Sequence, residues 1–293
     1  MVRRVGVIGL GVMGTAMSGH LLDAGYEVHG YDIDPERVAM LDTRGGVGRR
    51  STVEVAADSD LVLFSLASVE ALEDATAGVI AGAHDGLIAA EMGVLPIEAK
   101  QRSHDRLAEV GVELMDVPVS GTGLQAADAT LVVMASGSDE AFERTKDVFA
   151  VIGRATYHLG PFPNGSVMKF IANLLVAIHN VSSAEAHLLG IAAGMDANVV
   201  QQVIADGVGS SRMFEIRGPM MAADTYEPPS ARLDIIKKDA GIIQAFARSV
   251  GAPTPLLDTA VPIYHEASAA GLGHLDAAAV CRHLEQTAGL HRQ

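Results

Sequence analysis

The stretch that decides the fold is Arg4-Val-Gly-Val-Ile-Gly-Leu-Gly-Val-Met-Gly14, close to the N-terminus. Its apolar, mainly β-branched run from Val5 to Ile8 predicts a strand, and the glycines that follow predict a tight turn. Apolar residues then recur at helical spacing as far as Gly25, a residue typical of a helix end. The stretch therefore predicts a strand, a turn and a helix in immediate succession.

The turn carries the pattern G-x-G-x-x-G, which is formed by Gly9, Leu10, Gly11, Val12, Met13 and Gly14. Glycines at these places permit a tight turn, a close approach of backbone amides to a pyrophosphate, and close packing of helix on strand. Asp32 closes a second predicted strand 18 positions after Gly14, near the spacing of about 20 found in dinucleotide-binding domains. The alternative is a glycine-rich turn that binds nothing, with Asp32 a solvated strand end.

Asp32 also bears on the choice of cofactor. A carboxylate there accepts hydrogen bonds from the ribose hydroxyls of the adenosine and repels a 2′-phosphate, so the sequence predicts NAD rather than NADP. Arg37 follows closely and could meet a phosphate, although an arginine after Pro35 at a helix start is more often solvated.

The first half of the chain alternates between strand and helix patterns. Further strands are predicted at 28–33, 61–66, 86–90, 113–117 and 130–135, with helices between them. This alternation predicts an α/β Rossmann domain with a mostly parallel sheet covered on both faces. After the dense turn signals between Gly160 and Gly165 the strand pattern disappears, and a long helix is predicted over 166–194. We expect a dinucleotide-binding domain at 1–162 and an all-helical substrate and oligomerisation domain at 163–293, joined by this long helix.

The composition excludes several classes of protein. A net charge of -15 repels nucleic-acid phosphates and anionic membranes, so neither is an expected partner. No run of 18 apolar residues and no export signal is found. Cys281 is the only cysteine, which fits a reducing cytoplasm, and no histidine spacing predicts a metal site.

Two later segments add to the glycine motif. Asp116-Val-Pro-Val-Ser-Gly-Thr-Gly123 and Gly160-Pro-Phe-Pro-Asn-Gly-Ser-Val-Met-Lys-Phe-Ile-Ala-Asn173 follow it in order, and Lys238-Asp239 comes after them. With these motifs the chain resembles, over nearly its whole length, the β-hydroxyacid dehydrogenases, a family that includes 3-hydroxyisobutyrate dehydrogenases and tartronate semialdehyde reductases.

The resemblance implies roles for individual residues. It implies that Ser120, Gly121 and Thr122 receive a substrate carboxylate, and that Lys169 carries the proton. By the same resemblance Asn173 and Lys238 bind substrate, Lys238 also lies beside the nicotinamide, and Leu66 and Ala67 form a loop close to the cofactor. It further implies a homodimer or homotetramer formed through the helical domain.

The spacing of Lys169 and Asn173 supports a shared task. Residues four apart leave the same side of a helix and can converge on one small ligand. A lysine within the apolar stretch 167–177 is costly to bury without a purpose. Each residue also has a purely structural alternative. Lys169 could be a solvated lysine at a helix start, Asn173 could form hydrogen bonds between helices, and Ser120 could stand in a turn or cap a helix.

Two departures from the family pattern concern the reaction pocket. Where the family has D-x-S-T, this chain has Ala90-Glu-Met-Gly93, and Thr122 stands in place of a glycine. Both changes are expected to line the pocket. Met92 and Gly93 remove polar contacts on one side and Thr122 adds bulk where the substrate should lie, so a less polar acid is expected as substrate. The distal pocket wall is expected to consist of His179, Asn180, His187, Met213 and Phe214.

The function that follows is NAD-dependent interconversion of a small β-hydroxy acid and its semialdehyde, with Lys169 as general acid and base. Two alternatives remain open at this point. One is an imine reductase-like enzyme, although those relatives usually lack the lysine found here at 169. The other is a catalytically silent NAD-binding regulator.

Overall fold

The computed structural model describes residues 2–290 of the chain. These residues form two compact units, of which the first ends at Lys169 and the second begins at Phe170. The sequence boundary is predicted after residue 162, and the first residues of the long helix belong to the same unit as the sheet.

The first unit alternates strands and helices as predicted, and it contains three strands beyond the six predicted, at 47–48, 119–120 and 153–158. Its strands are β1 (Arg4–Ile8), β2 (Glu27–Tyr31), β3 (Val47–Gly48), β4 (Leu61–Phe64), β5 (Ile88–Glu91), β6 (Glu113–Asp116), β7 (Val119–Ser120), β8 (Leu131–Ala135) and β9 (Gly153–His158). Its helices are α1 (Val12–Asp23), α2 (Pro35–Thr43), α3 (Thr52–Ala57), α4 (Val69–Ala81), α5 (Ile97–Ala108), α6 (Gly123–Ala127) and α7 (Asp139–Ile152).

Six of the strands form one parallel sheet in the order β3-β2-β1-β4-β5-β6. Hydrophobic clusters cover both faces of this sheet, as a parallel sheet requires. The strand order reverses between β1 and β4, and ligands of such sheets bind at that reversal, beyond the carboxyl ends of the strands. The predicted Rossmann architecture is confirmed.

A second, smaller sheet contains β7, β8 and β9. Here β7 pairs antiparallel with β8, and β8 pairs parallel with β9. The strand predicted at 130–135 therefore lies in this sheet and not in the parallel one. Because β7 follows β6 after only two residues, the small sheet begins directly beside the carboxyl end of the main sheet.

The second unit is helical, and no strand occurs between residues 170 and 290. The long helix α8 (Asn164–Ala192) leads into it. The remaining helices are α9 (Ala197–Ala205), α10 (Arg212–Ala223), α11 (Leu233–Ser249), α12 (Pro255–Ala267) and α13 (Val280–Thr287), with a π-helical turn at Ser268–Leu272 and a 3-10 turn at Ala277–Ala279.

By length and composition α8 is the one helix among the described residues that could cross a membrane. Its sequence also suits the core helix of a helical domain, because five of its polar or charged residues are buried. Asn180 donates from Nδ2 to Tyr264 Oη at 3.0 Å and to the Ala277 carbonyl at 2.9 Å. Ser183 and His187 are likewise buried on this helix.

Candidate active site

The glycine loop after β1 has the geometry that its motif predicts. Gly9 has a φ of +94°, and a Cβ there would lie 2.4 Å from the Ser65 carbonyl oxygen. A Cβ on Gly14 would lie 1.9 Å from the Gly9 oxygen, so both positions need glycine. At Gly11 a Cβ would meet nothing closer than Arg37 at 3.9 Å. The first and third glycines thus close the turn, and the middle one leaves its backbone open to a ligand.

Helix α1 begins at this loop with its amide groups facing outward. Gly11 is the N-cap, no side chain caps the helix, and its first turn contains no acidic residue. Val12, the first helical residue, is 73% exposed, and Met13 follows it in the same turn. An uncapped helix N-terminus with free amides is suited to bind the phosphates of a dinucleotide.

Asp32 lies just beyond β2 and is tied to the glycine loop. Its Oδ2 accepts a hydrogen bond from the Leu10 amide at 2.7 Å, and its Oδ1 accepts one from the Asp34 amide at 2.9 Å. The residue is 8% exposed. The carboxylate is therefore held in one orientation beside the loop, where the acid that recognises a ribose is expected.

Arg37 lies beside this acid. Its Nη1 is 3.4 Å from Asp32 Oδ2, its Nε is 3.4 Å from Asp34 Oδ2, and its side chain is 47% exposed. A cavity of about 490 Å³ extends from the glycine loop along α1 and is lined by Arg37, Arg44 and His20, among others. Two arginines therefore give the lining of the cavity a positive charge, and one of them, Arg37, lies beside the Asp32 carboxylate.

The loop after β4 passes next to the residues that replace the family's D-x-S-T. Leu66 is partly exposed and Ala67 is exposed. A Cβ on Gly93 would lie 2.7 Å from the Leu66 carbonyl and 2.8 Å from Glu91 Oε1, whose carboxylate accepts the Gly93 amide. The inward-turned Glu91 side chain thus occupies the space that a larger residue at 93 would need.

Met92 is not a pocket residue. It is 5% exposed and packs in the hydrophobic core that covers one face of the sheet. The expectation that Met92 lines the reaction pocket is wrong, because the side chain at this position points into the core. The less polar substrate inferred from it loses that support.

The predicted carboxylate loop begins at β7. Ser120 ends this strand and is partly exposed, while Gly121 has a φ of +147° and is exposed. Thr122 is the N-cap of α6, and it forms a capping box in which its amide donates to Gln125 Oε1 at 2.8 Å. The residue that acts as a helix cap is therefore Thr122 and not Ser120, whose hydroxyl lies on the strand before it.

Lys169 and Asn173 both lie on α8, four residues apart, and Lys169 is 8% exposed. Asn173 donates from Nδ2 to Asp239 Oδ2 at 3.2 Å. Lys238 has its Nζ 3.3 Å from Asp239 Oδ1, and its side chain is 41% exposed. Asp239, 6% exposed, is thus the residue that holds Asn173 and Lys238 together. The sequence motif contains this aspartate, but the resemblance gives it no role of its own.

Most of the predicted distal wall is interior. Asn180 and His187 have no exposed surface, and the His187 ring stacks on Phe214 with 5.1 Å between ring centroids. These three residues therefore form the core of the helical unit, and the expectation that they line a pocket is wrong. His179 and Met213 are partly exposed.

Sequence reasoning missed a buried cluster of charges at the carboxyl end of the sheet. It consists of Glu91, Lys100, Asp116 and Ser166, of which the three charged residues have no exposed surface. Burial raises the pKa of Glu91. Burial acts to lower the pKa of Lys100, but the charges of Asp116 and Glu91 outweigh it, so that the pKa is raised. The two neighbouring acids therefore favour the charged form of Lys100.

No group of three or more histidine, cysteine, aspartate or glutamate side chains is arranged to hold a metal ion within residues 2–290.

Comparison with known proteins identifies the family. Residues 4–160 match the NAD binding domain of 6-phosphogluconate dehydrogenase, and residues 164–284 match the NAD-binding domain of NADP-dependent 3-hydroxyisobutyrate dehydrogenase. The chain is 36% identical to an L-threonate dehydrogenase of Cupriavidus necator over 96% of both chains. It is 30% identical to a 2-(hydroxymethyl)glutarate dehydrogenase of Eubacterium barkeri, over 98% of this chain and 96% of that one.

A solved structure shows the same architecture. The 3-hydroxyisobutyrate dehydrogenase from Salmonella typhimurium is 31% identical, with a TM-score of 0.86 over 95% of this chain and 99% of that chain. The chain belongs to the β-hydroxyacid dehydrogenase family. It is an NAD-dependent oxidoreductase that acts on a small hydroxy acid, and its dehydrogenase relatives favour this activity over imine reduction or a silent regulatory role.

Proposed function

We propose that the chain oxidises a short, polyhydroxylated carboxylic acid of the L-threonate kind, with Lys169 as the group that exchanges the proton. The observation that carries this proposal is the burial of Lys169 on α8, four residues before an asparagine whose amide is fixed by Asp239. A buried lysine is costly unless it serves a function.

The proton transfer is assigned to the lysine by its chemistry. NAD, when bound, takes the hydride from the carbinol carbon of the substrate. In that direction the amine of Lys169 accepts the hydroxyl proton, and in the reverse direction its ammonium form donates it. Asn173, held by Asp239, is proposed to orient the substrate, and Lys238 to bind its charge.

The remaining predicted contacts follow the loops at the carboxyl ends of the strands. Ser120, Gly121 and Thr122 are proposed to receive the carboxylate, since Gly121 leaves its backbone exposed after β7. Gly9 to Gly14 and Asp32 are proposed to bind the dinucleotide, with Leu66 and Ala67 beside it. The uncapped start of α1 and the tether between Asp32 and Leu10 support this assignment.

The choice of a polyhydroxy acid rests on the relatives together with the position of Met92. The relative from Cupriavidus necator acts on L-threonate. With Met92 buried in the core, nothing in the sheet unit argues for an apolar pocket in its place. Preference for NAD over NADP is proposed from the Asp32 carboxylate.

We also propose that the protein is a cytoplasmic homodimer or homotetramer associated through its helical half. Apolar side chains are exposed on the helices of that half, with Leu189 at 73% and Val203 at 64%. Exposed apolar side chains indicate a subunit contact where they form one contiguous patch.

The function is tested by kinetics with L-threonate, 3-hydroxyisobutyrate and tartronate semialdehyde, followed by NADH absorbance. We expect the highest kcat/KM with L-threonate. Lys169→Ala should then lower kcat at least the roughly 10²-fold typical of a lost general acid or base, with little change in the Kd for NAD. Turnover close to that of the unmodified enzyme would overturn the role of Lys169. A kcat/KM highest for 3-hydroxyisobutyrate would overturn the substrate class alone.

A further inference from the structure

We propose that Lys100, Asp116 and Ser166 form a positioning device that fixes the first turn of α8 against the strand ends, and so sets the place of Lys169. The inference rests on the proposed role of Lys169 for its effect on turnover. The contacts of the device are independent of that role and can be tested without it.

Asp116 and Ser136 hold the start of α8. The amide of Ser166 donates to Asp116 Oδ2, and the amide of Gly165 donates to Ser136 Oγ at 2.9 Å. The first amides of a helix have no partner within the helix, and a carboxylate at this end is also favoured by the helix dipole. Two of these amides are therefore satisfied by residues from the sheet unit, far away in sequence.

At Gly165 the start of α8 lies as close to β6 and β8 as the backbone permits. A Cβ on Gly165 would lie 2.5 Å from the Asp116 carbonyl oxygen and 2.6 Å from that of Met134. Any larger residue at 165 would push the helix away. The first turn of α8 is consequently held at a defined distance from β6 and β8.

Lys100 joins this anchor to the neighbouring loops. Its Nζ lies 2.8 Å from Asp116 Oδ1, 2.8 Å from Ser166 Oγ and 2.9 Å from the Gly93 carbonyl. It also forms an ion pair with Glu91. Gly93 lies so close to the Leu66 carbonyl that a Cβ would not fit between them, and Asp116 ends the strand that precedes the segment leading to Ser120. One ammonium group thus ties together the loops assigned to cofactor and carboxylate and the helix that carries Lys169.

Stability of the fold alone is a poor explanation for this buried cluster of charges. Replacing a buried ion pair by apolar residues of similar size is often neutral or stabilising, so burying three charges here is not explained by stability. Ser166 is only three residues before Lys169, and a misplacement of about 1 Å in a reacting group can lower a rate about 10²-fold. The position of the cluster therefore fits a role in holding the catalytic lysine in place.

Ser166→Ala is the test, because it removes the hydroxyl that links Lys100 to α8 but leaves Lys100 paired with Glu91 and Asp116. The matched control is Ser138→Ala, which removes the N-cap serine of α7 in the same unit. We expect Ser166→Ala to lower kcat about 10-fold, below the roughly 10²-fold limit of a 1 Å misplacement, with the Kd for NAD unchanged. The pH at which kcat is half-maximal should shift, because the surroundings of Lys169 change. The control should alter neither quantity per folded enzyme.

Hydrogen exchange of the backbone amides at 164–170 gives a second measurement that needs no turnover. We expect faster exchange there in Ser166→Ala and in Lys100→Met, and no change in the control. Unchanged exchange in Ser166→Ala would contradict the proposal that the Ser166 hydroxyl helps to fix the first turn of α8. This result would count even if Lys100→Met failed to fold. Faster exchange with kcat and its pH profile unchanged would overturn the positioning role. The proposed function fails separately, by normal turnover of Lys169→Ala.

Discussion

The sheet unit and the helical unit each bury an ion pair around an aspartate, and the two pairs differ in what they hold. In the helical unit, Asp276 accepts from Arg217 Nε at 3.1 Å, from the Ser230 hydroxyl at 2.6 Å and from the amides of Ser230, Ala231 and Ala278. In the sheet unit, Asp116 accepts from Lys100 and Ser166.

The Asp276 pair and the Lys100 cluster differ in their net charge and in the segments that surround them. The Asp276 pair is balanced, with one acid and one base, and it fixes a loop and a 3-10 turn that contain no candidate site residue. The Lys100 cluster has two acids for one base, and it borders the loops at 66 and 120 and the first turn of α8. Buried ion pairs thus fix a loop and a turn in the helical unit, whereas in the sheet unit they border the loops and the helix start to which the proposed site belongs.

The largest expected effect is on the stability of the helical unit. Arg217→Met leaves the Asp276 carboxylate buried without its cation, and breaking a buried pair in this way costs about 3–5 kcal/mol. Urea unfolding should show the loss, whereas kcat per folded enzyme should stay within about twofold, in contrast to Ser166→Ala. A specific loss of kcat in Arg217→Met would show that the two clusters do not differ in the way described.

The two clusters should also respond in opposite directions to acid. Burial acts to raise the pKa of Asp276, but the charge of Arg217 and several hydrogen bonds outweigh it, so that the pKa is lowered. Its stabilisation is therefore present above the unfolded pKa of about 3.9 and is lost as the pH falls through the lower folded value. Burial raises the pKa of Glu91, so its ionisation weakens the fold as the pH rises above about 4.3.

Unfolding free energies between pH 3 and 8 measure this contrast. In Asp276→Asn the unfolding free energy should fall less at low pH than in the unmodified protein. In Glu91→Gln the unfolding free energy should fall less as the pH rises above about 4.3. The two changes should have opposite signs, because the pKa of Asp276 is lowered in the folded state and that of Glu91 is raised. An unfolding free energy with the same pH dependence in Glu91→Gln as in the unmodified protein would contradict the raised pKa.

Asp32 is a third aspartate bound by backbone amides, and it lies beside the glycine loop that is proposed to bind the dinucleotide. Asp32→Ala removes the negative charge that repels a 2′-phosphate. It also removes the ion-pair partner of Arg37 Nη1, so that this arginine, which lines the cavity, can bind a phosphate. The ratio of kcat/KM for NAD to that for NADP should fall about tenfold, which equals about 1.4 kcal/mol. Better use of NADP than of NAD by the unmodified enzyme would contradict the assignment, and Asp34→Ala serves as the control for loss of charge nearby.

The smallest effect is expected at Thr122. Because its side chain belongs to the capping box of α6, Thr122→Gly should lower the free energy of unfolding by only a few tenths of a kcal/mol and Thr122→Ala by about 1 kcal/mol. Substrate preference across the panel should change little in either variant. A large gain in kcat/KM for 3-hydroxyisobutyrate in Thr122→Gly would show that the side chain limits the pocket as well.

The sequence is sufficient for the features that depend on local patterns. Six of the nine strands in residues 2–290, the glycine turn and the long helix follow, to within about two residues at most ends, from hydrophobic spacing and from glycine positions. Helix α10 is not predicted, because Pro219 and Gly218 interrupt its pattern. The sequence predicts Met92 in the reaction pocket, whereas the structure places it in the core. A position in a motif does not reveal whether a side chain faces the pocket or the core.

The Lys100 cluster escapes prediction for a different reason. Its members are separated by up to 75 residues, and only the fold brings them together. One local signal exists, since Lys100, Ser103 and Leu107 have the spacing of a buried helix stripe within an otherwise polar helix. A lysine on such a stripe indicates a buried cation, whose partners must be sought among acids at strand ends.

The two-residue strand β3 at one edge of the parallel sheet has a consequence for behaviour at high protein concentration. An exposed edge strand is a template on which other chains can add by backbone hydrogen bonding, and short edges followed by charge oppose this. Val47 and Gly48 offer few unpaired backbone groups, and Arg49 and Arg50 come directly after them. This edge of the sheet is therefore a poor nucleus for fibril growth and a suitable place for extending the loop in engineered variants.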